Sequence, residues 1–308
     1  MSTFLYTAAL ATGRGRHILD CMVEDTGKGK LREATVAGIF YPEDPDELRS
    51  RVRSLLEAAK PPFSDARAIV SPHAGLDYSG DLAALAWKAA SGLSPKVVAI
   101  LAPMHRAEES LVYLPESELF DTPLGPAEVD YELIEELRDC GTLFSVNDIP
   151  HLEEHSVEIQ LPFMRHLFPE ARLVPILLGK ASPAVVKALG AALGIVLGPI
   201  ADELLVVISS NSASGPDDAE VRARNARILR LVESGDAKAL LEAGAEPAGP
   251  ICGAGCIASF LSSTLAEGKR ARILGSHDSA AARQSGDERL VGYIAAAFAP
   301  GDPREGGG

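Results

Sequence analysis

The chain has 308 residues, and 43 Asp and Glu against 29 Lys and Arg give a formal net charge of −14, which argues against a nucleic-acid backbone or an anionic membrane surface as partner. Hydrophobic residues make up 46% and charged residues 23%, an ordinary balance for a globular protein with a sizeable core, and no apolar run is expected to reach the roughly 20 residues of a membrane-spanning helix. The four cysteines, Cys21, Cys140, Cys252 and Cys256, form no CxxC pair, and no basic residue precedes the apolar patch in residues 1–13, so a reduced, cytoplasmic setting without a secretory signal is expected.

Residues 1–33 carry little pattern and are broken by Gly13, Gly15, Gly27 and Gly29. They read as an N-terminal extension holding at most one strand, over residues 16–23. The domain proper is expected over residues 34–299. Residues 35–41 (TVAGIFY) form a compact apolar segment closed by Pro42. Leu48, Val52, Leu55 and Leu56 then fall at helical spacing behind Asp46 and Glu47. A buried-type run, residues 68–70, delivers Ser71-Pro72-His73-Ala74-Gly75, and Leu82, Leu85, Ala86 and Ala89 predict a helix after it. The next buried-type run, 97–103, leads to His105. A strand at 111–114, a turn-rich loop at 121–125 and a helix at 131–138 follow.

Residues 151–168 (HLEEHSVEIQLPFMRHLF) predict one helix. Val157, Leu161, Met164 and Phe168 mark its apolar face, and His155, Glu158 and Pro162 an adjacent stripe. Pro162 inside that helix predicts a kink that frees the Glu158 carbonyl. Beyond it come a strand at 172–179, a helix at 184–197, a strand at 204–210 and helices at 219–234 and 237–243. A loop at 247–250, a helix at 257–265, a strand at 270–274 and a closing helix at 289–298 complete the order. Residues 300–308, rich in Gly and Pro, predict a disordered tail. The alternation predicts a single α/β domain with a central, mainly parallel sheet flanked by helices.

In such a sheet ligands bind at the carboxyl ends of the strands, where His73 and His105 are expected to meet. Two converging imidazoles suit iron, copper or zinc, the plain alternative being two loop histidines with ordinary hydrogen bonds. Cys252 lies between Ile251 and the small Gly253 and Ala254 at an expected helix start, which favours the thiolate; a buried cysteine acting as a small hydrophobe is the alternative. His155 and Glu158 suit an acid/base pair or support beside the site, or else a helix histidine and a solvated carboxylate. His277 and Asp278 stay open between the same readings, and His17, His151 and His166 read as surface residues.

The segments VAGIFYPEDPDEL, SPHAGLDYSG, LAPMH, EEHSVEIQLPF, VPILLG, SSN and ICGAG occur in this order. Over roughly residues 34–298 the chain resembles the MEMO-like family, known in prokaryotes as AmmeMemoRadiSam system protein B. The resemblance implies a fold similar to class III extradiol dioxygenases, which open catechol-type rings with non-heme iron. It implies His73, His105 and Cys252 as metal ligands, with iron first and copper or zinc as alternatives. It also implies a role for His155 and Glu158 at the site, and a radical-SAM system partner. Where the family has SSDF-x-H, this chain has residues 209–214, SSNSAS. Asn211 thus stands for a carboxylate and Ser214 for a histidine, both expected to line the cleft, and Arg106 and Gln160 replace two further histidines. The expected function is oxidoreductase-type metal chemistry on a small organic molecule. The alternatives are a non-catalytic metal-binding or helper protein and a vestigial site.

Overall fold

The computed structural model describes residues 29–246, 251–282 and 289–300. The strand expected at 16–23, His17, the 247–250 loop and all of the expected tail but Pro300 lie outside the described residues.

The first strand, β1 (Leu31–Arg32), precedes α1 (Pro45–Ala58), which Asp44 caps by accepting from the Asp46 and Glu47 amides and which Pro45 opens, a position where the missing N–H costs nothing. Next come β2 (Ala68–Ser71), α2 (Leu76–Lys88) and β3 (Val97–Pro103). They are followed by β4 (Val112–Leu114), β5 (Leu119–Phe120), β6 (Ala127–Glu128), α3 (Tyr131–Asp139), β7 (Phe144–Val146), α4 (Asp148–Glu153) and α5 (Leu161–Leu167). The remaining elements are β8 (Arg172–Leu178), α6 (Pro183–Ala192), β9 (Leu204–Ser209), β10 (Asn211–Gly215), α7 (Asp218–Ser234), α8 (Ala237–Gly244), α9 (Ala254–Leu261), β11 (Lys269–Asp278) and β12 (Leu290–Pro300).

At the centre β2, β9, β3 and β8 lie side by side and parallel. Every residue of β2, β3 and β9 is buried, because helices cover both faces of such a sheet and each side chain enters a core. The margins turn antiparallel: β12 pairs with β2, β10 and β11, and β4 with β8, so the sheet is mixed around a parallel centre. A small second sheet joins β1, β5 and β6. Residues 29–33, expected within the extension, therefore include part of the folded body.

The segment expected as a closing helix, 289–298, is strand β12. Its residues 292–298 are all buried, and an apolar run buried on every side has no periodicity that separates strand from helix. The helix expected over 151–168 is interrupted. After α4, Glu154 is extended and its carboxylate accepts from the His155 and Ser156 amides. A 3-10 turn, Glu158–Gln160, then leads into α5. Pro162 sits in the first turn of α5 and kinks nothing, while the apolar face of Val157, Leu161, Met164 and Phe168 is buried as expected. His151, expected at the surface, is buried: its Nε2 lies 3.2 Å from the Tyr113 carbonyl.

The helix expected at 184–197 continues from α6 through a π turn and, past a kink at the non-helical Ile200, a 3-10 turn, so the helical segments together span Pro183–Glu203. With mean hydropathy 2.0 it is long and apolar enough to cross a membrane by length and composition, against expectation. In the protein about half of it is buried, and α6 packs on α9.

Candidate metal centre

The parallel register pairs Ser71 with Ser209 and Leu101 with Ile208, so β2, β9 and β3 end together at one edge of the sheet. The loops beyond them carry His73, Asn211 and His105. Cys252 comes to the same edge just before α9, where the chain passes so near β9 that a Cβ on Gly253 would lie 2.4 Å from the Ser210 Cβ. Only glycine fits there.

His73 is buried, and its Nδ1 lies 2.9 Å from the Ser209 hydroxyl. That hydroxyl donates its one proton to the Ser156 carbonyl at 2.7 Å. It must accept from His73 Nδ1–H, as it accepts from Gln160 Nε2 at 3.2 Å. Nε2 is left facing the centre, 3.3 Å from Cys252 Sγ. His105 is fixed in the same sense: Nδ1 lies 3.0 and 3.1 Å from the Glu154 carboxylate oxygens, and its amide donates to the same group at 2.7 Å. Ligand atoms of His73, His105 and Cys252 all lie within 4.8 Å of one another, within reach of one ion. A carboxylate or hydroxyl behind each imidazole fixes its orientation toward a metal.

Charge is arranged to suit a cation. Burial works against a charged Cys252, but the nearby His73 charge and hydrogen bonds from His105 and His73 outweigh it and bring the thiol down to about 5. Burial likewise opposes charge on His105, yet its bonds to Cys252 and Glu154 hold it up at about 10. The Glu154 carboxyl, against the cost of burial, is held at about 2 by His105. Without metal the centre is a thiolate–imidazolium pair, and a bound cation would replace a proton.

Residues 32–297 match the model of the Memo-like protein family. The chain belongs to that family. A MEMO1 family protein of Thermotoga sp. (strain RQ2) is 32% identical over 279 residues, covering 86% of this chain and 98% of the relative. Those of Sulfolobus acidocaldarius and Saccharolobus islandicus (strain Y.G.57.14 / Yellowstone #1) are 31% and 30% identical over 284 residues, each covering 87% of this chain and 99% of the relative.

In this Memo-like chain His155 joins the cluster: its ring stacks on His105 at 5.2 Å, and its Nδ1 lies 3.2 Å from Glu154. Burial and the neighbouring His73 charge bring it down to about 4, so it is neutral at pH 7. Glu158, its expected partner, has a different task. It is fully buried, paired with Arg32, and accepts from the Thr35 amide and hydroxyl, the Val36 amide and the Tyr41 hydroxyl. Its lone pairs are committed to holding the N-terminal segment on the domain, which leaves it no part as acid or base. Glu154, next to His155 in the EEHSVEIQLPF motif, is the carboxylate of the site. Its place in that motif was the available signal, and Arg32 had none.

Asn211 lines a cavity of about 780 Å³ with His73, His155, Phe40, Tyr78 and Tyr293. Its Oδ1 accepts from the His73 amide at 3.0 Å, and its backbone N–H donates to Cys252 Sγ at 3.2 Å. Ser214 stands behind the wall: its hydroxyl accepts from Arg289, which lines the cavity. Gln160 is buried and bridges the Trp87 indole, the Pro72 carbonyl and Ser209. Arg106 is exposed. His277 pairs with Asp81 and packs on Tyr293, and Asp278 pairs with Arg222. On the far side of the centre a second cavity, about 400 Å³, is lined by His105, Cys252, Met104 and Cys256.

Proposed function

We propose that this Memo-like protein holds one transition-metal ion between His73 Nε2, His105 Nε2 and Cys252 Sγ, and carries out oxidoreductase-type chemistry on a small organic molecule bound in the larger cavity. The observation behind this is the pair of fixed imidazoles: Ser209 and Glu154 hold both Nδ1 atoms away from the centre, so both Nε2 atoms face one half-buried thiol. The bound ion would supply Lewis acidity or a one-electron couple. Two imidazoles and a thiolate are a soft set that suits copper, with zinc and iron behind it. The expectation of iron came from the resemblance to the non-heme iron dioxygenases, and the donor set, with a neutral Asn at position 211, moves the preference to copper. His155, neutral and anchored through Nδ1, offers its other ring nitrogen as a hydrogen-bond acceptor to a substrate in the cavity. A reducing, cytoplasmic setting keeps Cys252 available as the thiolate.

A second reading is a metal-binding helper of a radical-SAM partner with no turnover of its own. It draws on Asn211 and Ser214, which replace the family's titratable groups. Elemental analysis after anaerobic purification tests the centre: one metal per chain is expected, lost in His73→Ala and Cys252→Ala. Unchanged metal content in both variants overturns the assignment. Oxygen uptake with added organic substrates separates the two readings.

A further inference from the structure

Although the chain carries a net charge of −14, none of the described residues lining the larger cavity is Asp or Glu. One of them, Arg289, is a cation, and it donates to the neutral Ser214 hydroxyl at 3.2 Å. The register of β10 on β12 sets Ser214 opposite Val291, which brings the two together. The rest of the wall is largely apolar or aromatic, with Ile39, Phe40, Tyr78, Val291 and Tyr293 beside His73, His155 and Asn211. A guanidinium at the rim of a wall without Asp or Glu among its described lining presents a planar fork to a carboxylate, and the apolar wall would take the body that carries it.

From this we infer that the cavity selects a small organic anion, a carboxylate on an apolar or aromatic body, with Arg289 as the residue that sets the specificity. This deepens the proposed function by naming the substrate class, and it rests on that reading for the cavity being the substrate site. It also gives the altered 209–214 segment a purpose. A carboxylate at position 211 would set a negative charge in the same cavity as the anion, and the Asn211 amide removes it while still accepting from the His73 amide. A histidine at 214 would set a bulkier, titratable group beside Arg289, and the serine hydroxyl orients the guanidinium instead. The two changes that look like the decay of a catalytic site thus act together, one removing a negative charge from the wall and the other positioning its cation from behind.

The probes are benzoate and its neutral isostere benzamide, titrated calorimetrically in low-chloride buffer into metal-loaded and metal-free full-length protein. Benzoate is expected to bind about tenfold more tightly than benzamide, the gain of one charge-assisted contact. Arg289→Gln should remove that preference and Arg289→Lys keep part of it, both with unchanged thermal midpoints, since the side chain is exposed. Asn211→Asp should weaken benzoate and leave benzamide as it was in the metal-free protein. Equal binding of the two probes, or benzoate binding indifferent to Arg289→Gln, overturns the inference. Metal content on the same samples keeps the claims apart. Bound metal without benzoate preference sinks only this inference, and benzoate preference without metal sinks only the metal centre.

Discussion

The Ser209 hydroxyl sets the tautomer of His73 from 2.9 Å away, because its own proton is committed to the Ser156 carbonyl. A candidate ligand histidine is thereby oriented by a residue on the neighbouring strand.

Ser209→Ala should therefore weaken metal binding by roughly 10- to 100-fold, the usual effect of losing a group that orients a ligand. It should also cost about 1–3 kcal/mol of stability, because Gln160 and the Ser156 carbonyl lose a buried partner. Chelator competition and thermal melts measure the two effects. Unaltered metal affinity would refute the orienting role.

Glu158 and His151 make the fold acid-sensitive in the same direction. Burial opposes charge on Glu158, but the Arg32 guanidinium outweighs it and holds the carboxyl below its usual range, so its contribution is present above about pH 4.5 and lost as pH falls through the folded value. Burial brings His151 down to about 4 from 6.5. The unfolded chain then binds the extra proton, and stability declines as pH falls from 6.5 toward 4, by on the order of 3 kcal/mol. His151→Gln retains a donor for Tyr113 and removes the titration. Its thermal midpoint should vary less over that window, and a pH profile equal to that of the parent protein would exclude His151 as the cause.

Glu158→Gln should destabilise the fold by about 3–5 kcal/mol, since Arg32 is left buried and unpaired. Metal content per folded chain should stay the same. Loss of metal at unchanged stability would return Glu158 to the site chemistry.

With Cys252 brought down to about 5, it is mostly thiolate at neutral pH, whereas burial pushes the Cys256 and Cys140 thiols up. Iodoacetamide at pH 6.5 should modify Cys252 before either of them, and bound metal should protect it. Peptide mapping by mass spectrometry gives the order. Cys252 labelling no faster than Cys140 would contradict the thiolate.

Catechols should be opened weakly or not at all. Asn211 is a neutral acceptor for the His73 amide and Ser214 a hydroxyl bonded to Arg289, and neither titrates near neutral pH. Oxygen uptake should become measurable in the Asn211→Asp, Ser214→His double variant. Robust turnover by the unaltered protein would mean that His155 supplies the proton transfer.

The parallel centre of the sheet was legible because β2, β3 and β9 are short runs of buried-type residues, each ending in a polar or small motif. Strand β12 was not, since its residues 292–298 are buried on every side and an all-apolar run has no period to read. The helix expected through 151–168 failed at Glu154, where a side chain captures the backbone donors that a helix would have used.

For the candidate centre, the sequence alone determined where His73, His105 and Cys252 attach, two beyond strand ends and one at a helix start. These are local properties, carried by a few adjacent residues. What only the tertiary structure decided is which group faces which. Arg32 meets Glu158 across 126 positions and turns an expected acid/base into a buried structural pair. Glu154 meets His105 across 49 and becomes the carboxylate of the site. Ser209 meets His73 across 136 and sets the imidazole that faces Cys252. A carboxylate or imidazole acquires its task from the donors, acceptors and exclusion of water around it, and those are brought together through space by the packing of distant segments.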